Sequence, residues 1–314
     1  MKRLIYIALA LSLAVACKSS HKPTTDSEPT NSSTTEQTAK QLNFIPALAP
    51  AMLPQEQKME YMREHYWDKF DFADTTFINQ IDSTKMLTAF AVYATGYIPD
   101  SLAYKYMPRL MQRASTSKRM YTYFLMLAEG VLHDPNSPLR NDEKYIPVLE
   151  NAVQSSLLDE YERMPYEYDL EIARQNRIGR IANDFTYTLA SGRTATLHNI
   201  KADYTLIFIS NPGCPMCREV KEQITTSPML QELIERKELK VLVIYPDTDL
   251  EAWREHLQDY PASWINGYDA DQRIEKERLY DLKAIPALYL LDKQKRVMAK
   301  DCTDVAYIEK LLSE

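Results

Sequence analysis

Asn211-Pro212-Gly213-Cys214-Pro215-Met216-Cys217 joins an apolar run, Tyr204 to Ile209, to a segment of helical character that begins at Arg218. An unbroken run of β-branched and aromatic residues reads as a buried strand, and Pro-Gly marks a turn. The first cysteine is therefore expected where a strand ends and a helix starts. Free backbone N–H groups and the helix dipole favour an anion at such a place, and a thiolate is one. Cys217 follows one helical turn later, within reach to close a disulfide. This is the layout of a dithiol redox site.

Two plainer readings compete with it. A zinc site usually takes four N or S ligands. Beyond the pair, the folded part offers only Cys302 and four of the chain's five His, scattered without ligand spacing. No metal is expected. A purely structural bridge closing so short a loop would constrain the unfolded chain little. Redox chemistry is the favoured reading.

The totals bound the rest. At 314 residues and 45% hydrophobic content the chain is long enough for two domains with real cores. A net charge of −7 argues against nucleic acid as the main partner. No GxxxxGK[ST], GxGxxG or HExxH pattern occurs, and no cofactor is expected. Six Gly fit a largely helical protein with few tight turns. Four Cys (17, 214, 217 and 302) are too few for a disulfide scaffold, so burial must hold the fold.

Lys2 and Arg3 precede an apolar stretch from Leu4 to Ala16, which reads as a secretory signal too short to span a membrane. Leu13-Ala14-Val15-Ala16-Cys17 resembles a bacterial lipoprotein signal, which implies that Cys17 becomes the lipidated first residue of the mature chain. The alternative is ordinary cleavage near Ala16. Lys18 in place of Asp points, by analogy with lipoprotein sorting, to the outer membrane. Residues 18–43 are Ser, Thr, Pro, Glu, Gln and Lys with hardly an apolar side chain, a composition that reads as a tether.

Residues 44–178 are patterned as helices. Met59, Met62, Tyr66 and Phe70 recur at helical spacing, as do Met120, Phe124, Leu127 and Val131. Asp100 or Ser101 suits a helix cap. Lys105-Tyr106-Met107-Pro108-Arg109-Leu110 echoes Lys144-Tyr145-Ile146-Pro147-Val148-Leu149, which leaves repeated helical hairpins open. Twelve of the 21 tyrosines fall in this part. They suit helix–helix seams or, alternatively, a groove for extended polypeptide.

The remainder, 181–314, alternates differently. Phe185 to Leu189 and Thr194 to Leu197 read as a hairpin around Ser191-Gly192-Arg193. Then come the strand 204–209, the Cys motif with its helix, a second helix over 229–236 and a strand over 239–245. Helices are expected over 249–258, 272–282 and 304–312, and strands at 287–291 and 296–299. That order implies a mixed sheet with helices on both faces.

Here the chain resembles the thioredoxin fold, and more closely the membrane-anchored thioredoxin-like reductases typified by TlpA and ResA. The resemblance rests on Cys214-Pro215-Met216-Cys217, on Ala284-Ile285-Pro286-Ala287-Leu288-Tyr289 and on the order of elements around them. The signal and the helical part look like those of thioredoxin-like lipoproteins of Bacteroidota. The fold class is thus α+β in two domains: an all-helical domain, then a thioredoxin-like α/β domain.

The resemblance implies a cis bond at Pro286, with the Ile285 backbone offered to an extended substrate beside the attacking sulfur. Cys214 would attack a protein disulfide and Cys217 would resolve the mixed disulfide. Pro215 and Met216 form the tuning dipeptide, with Met216 an apolar edge for substrate. The expected activity is a lipid-anchored thiol–disulfide oxidoreductase on the periplasmic side of the envelope, a reductase in preference to an oxidase, fed by an unknown electron donor. The alternative is a partner-binding protein whose dithiol is a switch or vestigial.

Two departures from the thioredoxin pattern stand out. Gly213 replaces the Trp common before the first Cys, and Phe208 occupies the position of the buried acid. Proton transfer to Cys217 then falls to water or another group, with Glu219 and Glu222 as candidates. Cys302 reads as a small buried residue in preference to a third redox centre.

Overall fold

In a computed structural model the described residues are 43–314, and they belong to one compact unit. Cys17 and nearly all of the proposed tether lie outside them. The first part is helical: α1 (Gln55–His65), α2 (Phe77–Gln80), α3 (Ser83–Ala91), α4 (Ala103–Ala114), α5 (Lys118–Leu132), α6 (Asp142–Gln154) and α7 (Glu160–Arg174). Side-chain oxygens start most of these helices. Asp82, Ser117 and Asn141 accept backbone N–H groups of the first turn, and Asp159 forms a full capping box with Glu162. Neither Asp100 nor Ser101 caps α4, which grows out of a 3-10 turn spanning Asp100–Leu102.

The core of this part is aromatic. The Trp67 ring stacks on Phe44 at 4.8 Å and meets Phe70, Tyr93 and Phe124 edge-on. Such pairs contribute about 0.5–1.5 kcal/mol each beyond their buried area. Tyr66, Tyr93, Tyr106, Tyr121, Tyr123 and Tyr145 are buried in the same core, so half of the region's tyrosines are seam residues. The two echoing hexapeptides occupy equivalent places in α4 and α6. Both put proline at the sixth helical residue (Pro108, Pro147), and α7 does the same with Pro165.

The second part is a seven-stranded sheet. Its strands are β1 (Thr186–Leu189), β2 (Thr194–Thr196), β3 (Tyr204–Ile209), β4 (Leu239–Tyr245), β5 (Ile265–Tyr268), β6 (Ala287–Leu291) and β7 (Val297–Cys302). They lie in the order β2-β1-β5-β4-β3-β6-β7, with β3 parallel to β4 and antiparallel to β6. The sheet is therefore mixed. Helices α8 (Pro215–Thr226), α9 (Pro228–Glu235), α10 (Leu250–Glu255), α11 (Arg273–Lys276) and α12 (Val305–Ser313) complete it.

Strand β3 is buried along nearly its whole length because both of its faces are covered. Alternation sorts its side chains. Leu206 and Phe208 face a core shared with Cys217, Val220 and Ile224 of α8 and Ile308 of α12. Ile207 and Ile209 face the other core, with Phe185, Ile274, Tyr280 and Tyr289.

The helix expected over 272–282 is cut short. It ends at Lys276, and Arg278 turns the backbone left-handed at φ 51°. The stretch from there to β6 is irregular.

The two parts are joined by buried polar contacts. Lys300 of β7 donates to the carbonyls of Ala173 and Gln175 at 2.8 and 2.6 Å and pairs with Asp142 at 2.6 Å. A cation at the C-terminal end of α7 complements the helix dipole there.

Candidate functional site

Beyond Ile209 the chain leaves the sheet. Ser210 keeps one more strand-like bond, its N–H donating to the Ile244 carbonyl at 3.0 Å. Gly213 then turns the backbone at φ 70°, a conformation that costs a residue without Cβ nothing. A Cβ at that position would meet no atom within 4 Å, so the edge before Cys214 is open.

Cys214 is the N-cap of α8. Its sulfur accepts the Cys217 N–H at 3.2 Å, the task that Ser, Asp and Asn oxygens perform at other helices of this chain. Pro215 follows at the first helical position, where its missing N–H would have no helical partner anyway. The place of the Cys214 sulfur is thus built by three local features: a strand that ends, a glycine that turns, and a proline that starts a helix.

Both thiols are free, and their surroundings differ. Cys214 is half-buried and Cys217 is buried in the core beneath α8. Burial pushes the Cys217 thiol up, and its hydrogen bond with the Cys214 sulfur adds to that. The Asn211 N–H and the Ser210 hydroxyl pull the other way. Cys217 is accordingly a protonated thiol at neutral pH.

The Ile285–Pro286 peptide is cis, and the Ile285 carbonyl oxygen lies 3.9 Å from the Cys214 sulfur. Ile285 is half-buried and Pro286 buried. Pro215 is exposed, and Met216 is 52% exposed, enough to leave an apolar surface beside the sulfur. Of the residues singled out in the sequence, Cys214, Cys217 and Ile285 come together with Pro286, flanked by Pro215 and Met216. Cys17 is outside the described residues.

Glu219 and Glu222 stand exposed on α8, the arrangement of solvated helix glutamates, while the Cys217 sulfur is buried. A different polar pair shares the core with Cys217. Tyr260 packs on the same cluster, and its hydroxyl lies 2.7 Å from Ser210 Oγ. Its ring meets Phe208 edge-on at 6.4 Å. Lys221, one turn beyond Cys217, donates to the Asp259 carbonyl at 3.0 Å and sits over the Tyr260 ring. Burial raises the Tyr260 hydroxyl above its ordinary value, so it is protonated at neutral pH.

Sequence reasoning missed both residues. A lone Ser closing an apolar strand was the only available signal, and nothing marked Tyr260.

Cys302 ends β7 with its sulfur 3.8 Å from the Leu288 carbonyl, and burial pushes its thiol up to about 12. It is a protonated thiol at neutral pH. Among the described residues no group of three or more His, Cys, Asp or Glu side chains is arranged to hold a metal ion. The arrangement can exchange a disulfide: an accessible sulfur at a helix start, a buried partner one turn on, and a backbone carbonyl beside them.

Comparison with known proteins agrees with this architecture. Residues 16–176 match a domain of unknown function, DUF5106, and residues 202–297 match a thioredoxin-like family. The crystal structure of a thioredoxin-like protein from Bacteroides caccae is 42% identical, covers 87% of this chain and 98% of its own, and superposes with a TM-score of 0.80.

Two shorter structures from Bacteroides fragilis also match. One, the C-terminal domain of an uncharacterized protein, is 48% identical over 44% of this chain and 99% of its own, with a TM-score of 0.43. The other, a conserved protein of unknown function, is 36% identical over 43% and 98%, with a TM-score of 0.42. No protein of curated function matches. With a helical domain of the first kind followed by a sheet domain of the second, the chain belongs to the DUF5106 family and carries a thioredoxin-like domain.

Proposed function

We propose that this protein is a thiol–disulfide oxidoreductase of the cell envelope that reduces disulfides in polypeptides. One observation carries the reading. The Cys214 sulfur caps α8 at 3.2 Å from the Cys217 N–H while lying beside the Ile285 carbonyl. A nucleophile, its resolving partner and a docking edge for an extended chain are thereby assembled in one place.

The chemistry runs in two exchanges. The Cys214 thiolate attacks one sulfur of the substrate disulfide. A Cys214–substrate bond forms, the substrate S–S bond breaks, and the first substrate thiolate leaves. Cys217 then gives up its proton and attacks the Cys214 sulfur. The Cys214–Cys217 disulfide forms and the second substrate thiolate leaves. Two electrons have passed to the substrate, whose thiolates take up two protons. A donor dithiol must return the electrons by the same exchange in reverse.

The Cys217 proton needs an exit, and the Ser210–Tyr260 hydroxyl pair supplies one. Each hydroxyl hands on one proton as it accepts another, and solvent water takes the last, so neither has to ionise. Phe208 stands in the place of the buried acid, and this pair is a polar group packed against the same core.

Anchoring by a lipid on Cys17 and an outer-membrane address belong to the same reading. The small residues before Cys17 and the Lys18 after it support them. Insulin reduction tests the function. Wild-type protein with excess dithiothreitol should reduce insulin far faster than the Cys214→Ala variant. Equal rates, no higher than dithiothreitol alone, would overturn the proposal.

A further inference from the structure

The segment that carries Ile285 to the dithiol is held largely from outside the sheet domain. Four consecutive residues before the turn are each fixed. The Arg278 guanidinium pairs with Glu171 of α7 and lies 4.6 Å over the Tyr168 ring. The Leu279 carbonyl accepts from Asn176 Nδ2 at 2.7 Å and from Asn183 Nδ2 at 3.1 Å. The Tyr280 hydroxyl donates to the Asn183 carbonyl at 2.7 Å.

Asp281 closes the series. Its Oδ2 accepts from Arg140 Nη2 at 2.9 Å, and its Oδ1 accepts the Lys283 N–H at 2.8 Å. Glu171, Tyr168 and Arg140 come from the helical domain; Asn176 and Asn183 come from the connection behind it.

Arg140 is the centre of this grip. It lies between α5 and α6, immediately before the Asn141 cap of α6. The same Nη2 also pairs with Asp301 of β7, the strand beside β6. The three side chains are only 15%, 10% and 7% exposed. A buried charge left without its partner is strongly disfavoured, so this cluster admits few arrangements. The hold reaches Asp281, and three residues on the backbone enters the Ile285–Pro286 turn.

We propose that the helical domain is the positioning part of the enzyme: through Arg140 and its neighbours it fixes the 282–286 turn against which an extended polypeptide disulfide docks beside Cys214. The inference rests on the oxidoreductase reading and adds a task for the DUF5106 domain. Arg140 touches neither sulfur, so it is a positioning residue. A polypeptide substrate uses the Ile285 backbone, whereas a small aromatic disulfide needs only the exposed sulfur. Dependence on the anchor is therefore expected for the first substrate and not for the second.

Insulin and 5,5′-dithiobis(2-nitrobenzoate) serve as the two probes, with wild type, Arg140→Gln, Arg140→Lys and Asp281→Asn. In Arg140→Gln, KM for insulin should rise about tenfold with kcat within about twofold, the scale of losing one well-placed polar contact. The rate with the small disulfide should stay within about twofold of wild type.

Both contacts run through one nitrogen, so Arg140→Lys should restore the insulin KM. Asp281→Asn keeps the bond to Lys283 and should raise KM in the same direction as Arg140→Gln. Hydrogen exchange should quicken over 282–286 and not over α8. Should Arg140→Gln fail to fold, Asp281→Asn and the exchange pattern decide.

Parallel losses on both probes, or an unchanged insulin KM in both variants, would overturn the inference while leaving the oxidoreductase standing. A wild type that turns over neither probe would strike the oxidoreductase instead, and the exchange pattern would still report whether the anchor holds the turn.

Discussion

The helical domain and the thioredoxin-like domain are each built on a dense core, but they treat polar groups differently. In the helical core the tyrosines lay their rings among Trp67, Phe70 and Phe124, and several of its charged groups, such as Arg109 and Glu64 or Lys118 and Glu162, pair at the surface. In the sheet domain polar groups enter the buried layers at several places, the Lys295–Thr205 pair among them, and two of these bear on the site: beside Cys217 and at the Arg140–Asp281–Asp301 cluster. On the proposed reading the first place holds the chemistry, and the second joins the helical domain to the strand and turn beside it. If the proposal holds, the helical domain contributes to the reaction by fixing the turn beside the dithiol.

Four outcomes would break or sharpen that contrast. Removing the attacking sulfur is the most severe. Cys214→Ser should lower insulin reduction by about a thousandfold or more, the scale of losing a nucleophile, while the melting temperature stays near wild type. A core change in the helical domain comes next. Phe124→Ala should destabilise by about 3–5 kcal/mol in a denaturant titration. The alkylation rate of Cys214 in the protein that remains folded should not move.

The buried acid gives a pH signature. Burial raises Asp301 to about 7 despite Arg140 beside it; the Asp281 and Asp142 carboxylates add to the rise, and Lys300 opposes it. The folded state therefore binds this proton more tightly than the unfolded one. The stability it contributes is complete below about pH 4 and is lost as pH rises through about 7.

Asp301→Asn removes that dependence and suits the left-handed backbone of this position, φ 47°. Its melting temperature relative to wild type should climb between pH 5 and pH 8, by a difference on the order of 2 kcal/mol. A difference independent of pH would contradict the assignment.

The proton path should give the smallest effect. Tyr260→Phe should slow resolution of the mixed disulfide by about tenfold and shift its rate–pH profile upward, because water substitutes poorly for a fixed hydroxyl. The rate of the first attack, by Cys214, should not change.

Much of this was readable in the chain. The apolar run 204–209 marked the central strand, since a strand covered on both faces has no polar side to alternate with. The turn chemistry of Pro212-Gly213 and the start signal of Pro215 placed Cys214 at a helix cap. The pairing of Cys214 with Ile285-Pro286 came from resemblance, as no local rule connects residues 71 positions apart.

The helix expected over 272–282 failed because Ile274, Leu279 and Leu282 have helical spacing but answer to tertiary contacts. Asn176 and Asn183 take the Leu279 carbonyl, and Tyr280 turns into the sheet core. Arg140 was invisible for the same reason: its partners lie 141 and 161 residues away. Ion pairs that far apart leave no periodicity to read.

The assignment of roles within the dithiol can be tested by trapping. Cys217→Ala protein, incubated with insulin and resolved under non-reducing conditions, should accumulate a mixed disulfide that mass spectrometry of peptides locates at Cys214 and that dithiothreitol releases. No adduct, or an adduct at Cys302 with Cys214 unmodified, would contradict it.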